Sequence, residues 1–142
     1  QAVIFMSNPS TAIDLDAFYQ SMMQAGNLRT PQHASRLTFA VLHTLGFNLS
    51  GSVKRDLAKS LPKDLANSLK RGWRLINIRH KNLSLHDFAK DVARNSGNTD
   101  AAVAETRTRL VFHQIKKLLD GNLIHEVGRD LSPEVRDAWL AA

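Results

Sequence analysis

The sequence predicts an all-α protein of two tandem four-helix bundles related by a pseudo-twofold axis, with no sheet. Three observations carry that expectation. Apolar residues recur at helical spacing along most of the chain, strand-like alternation is nearly absent, and the whole pattern repeats after 70 residues. Only Arg74–Arg79 (RLINIR) alternates, and it is short and isolated.

The repeat aligns 15–72 with 85–142 without a gap. Identities include Leu15/Leu85, Phe18/Phe88, Ala34/Ala104, Thr38/Thr108, Val41/Val111, His43/His113, Leu49/Leu119, Gly51/Gly121 and Leu61/Leu131. Apolar class matches such as Met22/Val92, Leu57/Val127 and Leu69/Trp139 add the positions a common core would preserve.

Each half divides into four helices. The first is expected from about 15 to 25 behind Asp14 as N-cap, and its counterpart follows Ser84, with Asp87 completing a capping box. The second starts at Thr30-Pro31, a cap followed by proline at the first helical position, and at Asp100 in the other half. It carries Ala34, Leu37, Val41 and Leu45, mirrored by Val103, Leu110, Val111, Ile115 and Leu118. Gly51 and Gly121 are expected to terminate these long helices. The third helix presents Val53, Leu57 and Leu61, or Leu123, Val127 and Leu131. The fourth opens at Pro62 or at Ser132-Pro133, one residue out of register, and buries Leu65 and Leu69, or Val135 and Trp139. The expected organisation is a flexible tail over 1–13, module 1 over 14–71, a basic linker over 72–83 and module 2 over 84–142. Within the tail, Met6 is taken as the natural start, which makes 1–5 additions to it.

Composition narrows the function classes. The 142 residues are 43% hydrophobic and 23% charged, with 7 Gly and 4 Pro, which is ordinary globular composition. The absence of cysteine excludes disulfide frameworks, thiol catalysis and zinc-thiolate or iron–sulfur sites. No apolar run approaches the roughly 18–20 residues of a membrane span, so no membrane role is expected. Residues 1–13 lack the basic start and long apolar run of a secretory leader, which points to the cytoplasm.

The run Leu15-Asp16-Ala17-Phe18, the Ala40-Val41-Leu42-x-x-Leu45 helix, the turn at Gly51, and Asp56-Leu57-x-x-x-Leu61-Pro62-x-x-Leu65 together resemble a bacterial family of unknown function. That family is built from duplicated four-helix modules, and the resemblance covers about residues 14–140. It implies the fold and a bacterial cytosolic setting, and it supplies no activity and no site residues. The second half departs from the Leu-Pro pattern at Leu131-Ser132-Pro133.

Catalytic signatures are missing. His33, His43, His80, His86, His113 and His125 form no His-Glu-x-x-His and no i,i+4 pair, so no metal is expected; His43 and His113 are equivalent in the repeat and could approach across its axis. There is no Gly-x-Ser-x-Gly elbow, and Gly51-Ser52-Val53-Lys54 lacks the spacing of a phosphate-binding loop. Asp87 and Asp91 share one helix face instead of facing across a cleft. No enzyme and no cofactor is expected.

Nineteen basic and thirteen acidic residues give a net charge of +6, and five of the cations lie in the acid-free stretch 70–81. Lys70, Arg71, Trp73, Arg74, Arg79, His80 and Lys81 are therefore the candidate partner-binding residues. Cations interleaved with an aromatic suit phosphate contacts and base stacking. A linker whose apolar members seal the groove between modules, with solvated charges, explains the same residues and is preferred. A helix-turn-helix over 51–71, carrying Lys54, Arg55, Lys59 and Lys63, is a weaker expectation because Asp56 and Asp64 sit among the cations. The functional expectation is a non-enzymatic protein–protein interaction or scaffold module; the alternative is a nucleic-acid binder using 70–81.

Overall fold

The computed structural model describes residues 7–72, 82–97 and 100–142, with side chains from Leu15 onward. Among them run eight helices and no strand: α1 (Ser7–Gly26), α2 (Pro31–Phe47), α3 (Gly51–Lys59), α4 (Lys63–Arg71), α5 (Leu85–Ser96), α6 (Ala101–Lys116), α7 (Gly121–Asp130) and α8 (Pro133–Ala141). The starts of α2, α3 and α4 recur 70 residues on as the starts of α6, α7 and α8. The fourth helices are thus in register although their prolines are not. Pro62 is the N-cap of α4, whereas Pro133 is the first residue of α8 behind Ser132.

Several ends are fixed by the chemistry of their caps. The Thr30 hydroxyl accepts from the His33 amide at 3.1 Å, and the Ser84 hydroxyl accepts from the Asp87 amide at 3.0 Å. The Asp100 carboxylate accepts from the amides of Ala102 and Val103, and that of Asp120 from Leu123 at 2.8 Å. Gly97 closes α5 in the left-handed region at φ 80°, its amide bonded back to Ala93 and Arg94.

Three sequence expectations are corrected. α1 begins at Ser7, so the tail expected over 1–13 is helical from there on, and Asp14 lies inside the helix instead of capping it. Pro9 permits the early start, because a proline in the first turn removes an amide that has no acceptor there. Residues 1–6 lie outside the described residues. Gly51 and Gly121 open α3 and α7; the long helices before them close at Asn48 and Lys117. Val103 does not join the core, being 37% exposed.

The core is continuous between the halves. Met22, Leu42, Leu45, Leu49, Leu57, Leu65 and Leu69 from the first half share one cluster with Phe88, Phe112, Ile115 and Trp139 from the second. Packing is reciprocal: α1 lies on α6 and α5 lies on α2, while α2 meets α6 and α3 meets α7. That reciprocity is the contact pattern of an isologous, twofold interface. α2 sits at the centre, touching α1, α4, α5 and α6. Burying one Leu or Phe side chain is worth roughly 1.5–3 kcal/mol, so removing either half would expose much of the other's stabilising surface. Ala89, Ala93 and Ala104 form a small separate cluster between α5 and α6, where short side chains let the helices close up.

The halves fill equivalent space differently. In the second, Phe112 packs on Phe88 at 5.7 Å and edge-on to Trp139 at 5.2 Å, and the Trp139 indole donates to the Ile124 carbonyl at 2.8 Å. The first half has Phe18, Leu42 and Leu69 at these places. With less side-chain volume there, α2 and α4 approach backbone to backbone. A Cβ on Gly46 would be driven into the carbonyl oxygens of Leu69 and Gly72, and one on Gly72 into that of His43. The counterpart of Gly46 is Lys116, whose ammonium donates to the carbonyls of Trp139 at 2.7 Å and Leu140 at 3.2 Å. In the first half Lys54 does comparable work, donating to the Gly72 carbonyl at 2.7 Å. Burial pushes both ammonium groups below the usual lysine range.

Gly46→Ala is expected to cost at least about 2 kcal/mol, since backbone atoms, not a side-chain end, must move to admit the methyl group. Gly51→Ala meets nothing and is expected to be neutral or stabilising by up to about 1 kcal/mol. Urea denaturation of the two variants beside the parent protein checks the contrast.

Candidate functional site

At 3.6 residues per turn, α2 turns Leu37, Val41, Leu42 and Leu45 into the core and leaves His33, Arg36, Phe39 and His43 along its outer edge. That edge runs along the line where the two halves meet. One cavity, of about 290 Å³, is lined by Arg36, Phe39 and His43 of α2, Ser68 and Arg71 of α4, and Asn95 of α5. A second, of about 210 Å³, is lined by His33, Arg36 and Leu37 of α2, Ser96 and Gly97 at the end of α5, and Arg107 of α6. Arg36 borders both. A broader cleft, formed by Tyr19, Pro31, Gln32, Ser35, Arg36 and Phe39, lies on its other side.

The seam is basic because no acid lines either cavity. The ion pairs among the described residues are Arg94–Asp91 at 2.9 Å and His86–Glu105 at 3.6 Å, and neither involves Arg36, Arg71 or Arg107. Burial, together with the positive charges of Arg107 and Arg36, holds the His33 imidazole below its ordinary pKa. His43 sets its ring edge-on to Phe47 at 5.1 Å. The Asn95 amide donates to the Thr44 hydroxyl at 3.3 Å, and Thr44 donates to the Ala40 carbonyl at 2.9 Å, which ties α5 to α2 beside the first cavity. Such an arrangement offers hydrogen bonds and positive charge to an anionic group, with Phe39 as an apolar contact. Among the described residues, no three His, Asp or Glu side chains converge as metal ligands, and His113 lines neither cavity.

Of the residues expected to bind a partner, Arg71 reaches the seam and Lys70 is exposed beside it on the last turn of α4. Trp73, Arg74, Arg79, His80 and Lys81 lie outside the described residues. Lys54, a cation of the weaker helix-turn-helix expectation, is turned to the end of α4. Sequence reasoning missed His33, Arg36, Asn95 and Arg107. The available signal was faint: Arg36 and His43 stand seven positions apart on one side of α2.

Where α3 meets α7, Glu126 faces Asp56, the position 70 residues before it. The hydrogen bond with Asp56 raises the Glu126 carboxyl above its ordinary pKa of 4.5, helped by slight desolvation and by the Asp56 and Asp130 charges and opposed by Arg129.

These features define an all-helical, two-half protein with a basic seam between its halves. Residues 15–138 match the family described as uncharacterized conserved protein DUF2267, and the chain belongs to that family. No curated protein matches the sequence. No helix among the described residues is long and apolar enough to cross a membrane.

The raised Glu126 carboxyl fixes the sign of a pH effect. A carboxyl that holds its proton more tightly when folded stabilises the fold below pH 4.5 and loses that contribution as pH rises through the raised native value. Glu126→Gln keeps the hydrogen-bonding shape without the charge. It is expected to raise Tm at pH 7 and to flatten the change in Tm between pH 4.5 and 7, measured by thermal melts across that range.

Proposed function

We propose that this protein is a non-enzymatic interaction module whose basic seam receives an acidic segment of a partner protein. The observation that carries this reading is that Arg36 and Arg71, from different helices, flank Phe39 and His43 at the meeting of the halves with no acid among the lining residues. Charged donors around an aromatic contact fit a segment that mixes carboxylates with apolar side chains. Duplication of one ancestral four-helix unit accounts for the 70-residue recurrence of helix starts, and it makes the seam the one surface that neither unit has alone. The setting that goes with this reading is the bacterial cytoplasm, as the family resemblance implies.

A nucleic-acid reading has one observation in its favour: Arg71 belongs both to the seam and to the basic run 70–81. A labelled peptide alternating Glu with Leu, double- and single-stranded DNA, and RNA distinguish the two when titrated at about 50 and 200 mM salt. The peptide is expected to bind more tightly than any nucleic acid, and to lose about tenfold (about 1.4 kcal/mol) in Arg36→Ala/Arg71→Ala. Nucleic acid that binds more tightly than the peptide, and falls steeply with salt, would overturn the protein-partner reading.

A further inference from the structure

We infer that the smaller cavity, between His33 and Arg36 of α2 and Arg107 of α6, is a binding site for a phosphate dianion, free or as the phosphomonoester of a small molecule. This goes beyond the larger cavity, which carries the partner-binding reading, and shares only Arg36 with it. Two guanidinium groups on different helices border about 210 Å³, and Leu37 is the one aliphatic side chain in the lining. A guanidinium presents five N–H donors in a planar fork suited to phosphate oxygens, and two forks from separate helices can grip a tetrahedral anion from two directions. A protonated imidazole at His33 adds a third donor.

The remaining wall is the end of α5, Ser96 and Gly97. A helix C-terminus ordinarily repels an anion through its free carbonyls. Here the Gly97 amide bonds to the carbonyls of Ala93 and Arg94, and the Ser96 hydroxyl donates to Ala93 at 3.2 Å. Two of the end carbonyls of α5 are thereby occupied. Neither Arg36 nor Arg107 has an ion pair among the described residues, so the anion would meet charge that no side chain has already compensated. The charges acting on His33 are Arg36 from its own helix and Arg107 across the cavity, and both disfavour its protonation. A bound dianion reverses that balance, so His33 reports occupancy directly. The cavity is too small for a nucleotide or a folded segment, which restricts the ligand to the phosphate group and little more.

The test is calorimetry with the intact chain, using inorganic phosphate, phenyl phosphate and, at matched ionic strength, chloride. Histidine NMR follows the His33 ring in parallel. Saturable binding of phosphate but not chloride, with the His33 pKa rising on binding, is the expected result. If inorganic phosphate binds at least as tightly as phenyl phosphate, the free ion is the ligand; the reverse order assigns a phosphomonoester. Arg107→Gln should weaken binding about tenfold or more and Arg107→Lys should recover part of it, with Tm near the parent value showing that both variants fold. Arg71→Ala should leave phosphate binding intact while weakening the acidic peptide, which separates failure of this site from failure of the seam. Linear, non-saturating heats, an unmoved His33, or equal binding in Arg107→Gln would overturn the proposal.

Discussion

Everything else in this structure rests on the burial of α2. Its neighbours come from both halves: α1 and α4 from the first, α5 and α6 from the second. A helix enclosed in this way needs apolar side chains on several faces, and α2 supplies them with Leu37, Ala40, Val41, Leu42 and Leu45, all nearly inaccessible to water. The one edge left open is therefore narrow. It is the edge that carries His33, Arg36 and His43, so the position of the seam follows directly from how the core was filled.

The two halves solve one packing problem by different means. The last helix of each must dock its C-terminal end against the long second helix or its surroundings, and its final carbonyls need partners. The second half uses bulk, with Trp139 against Phe112 and Lys116 reaching over to the carbonyls. The first uses the absence of bulk, with Gly46 and Gly72 letting backbones meet and Lys54 donating to the Gly72 carbonyl. Arg136 extends the second half's solution by donating to the carbonyls of Gly128 and Leu131 at the end of α7. Its counterpart in the first half is Ala66, which is buried and makes no such contact.

Much of the fold was legible because the evidence for it is local. Thr30, Ser84 and Asp100 cap where their chemistry says they should, and the apolar positions of α3, α4, α7 and α8 are buried as their spacing implies. Where competing local signals existed, the sequence misled. A polar run around Ser7 resembles a flexible tail although it begins a helix, and a glycine after a long helix resembles its end when it in fact begins the next one. The candidate site was legible in one residue, Arg71. Arg36 and Arg107 lie 71 positions apart in different halves, and neither has a repeat counterpart of its own kind. Only the crossing of α2 and α6 brings them to one cavity, and periodicity along a single helix carries no record of such a crossing.

The Asp56–Glu126 contact has a consequence for how such a molecule can change over time. A residue on a twofold axis faces its own counterpart, so in an assembly of two identical chains an acid there always opposes an acid. Joining the halves in one chain lifts that restriction, because the two positions are encoded separately and each can mutate alone. A single change of either carboxylate to a lysine would place unlike charges on the axis, whereas the same change at both would restore the repulsion with its sign reversed. This chain carries two acids there, differing by one methylene group, at a place where its covalent continuity leaves a complementary pair open to it.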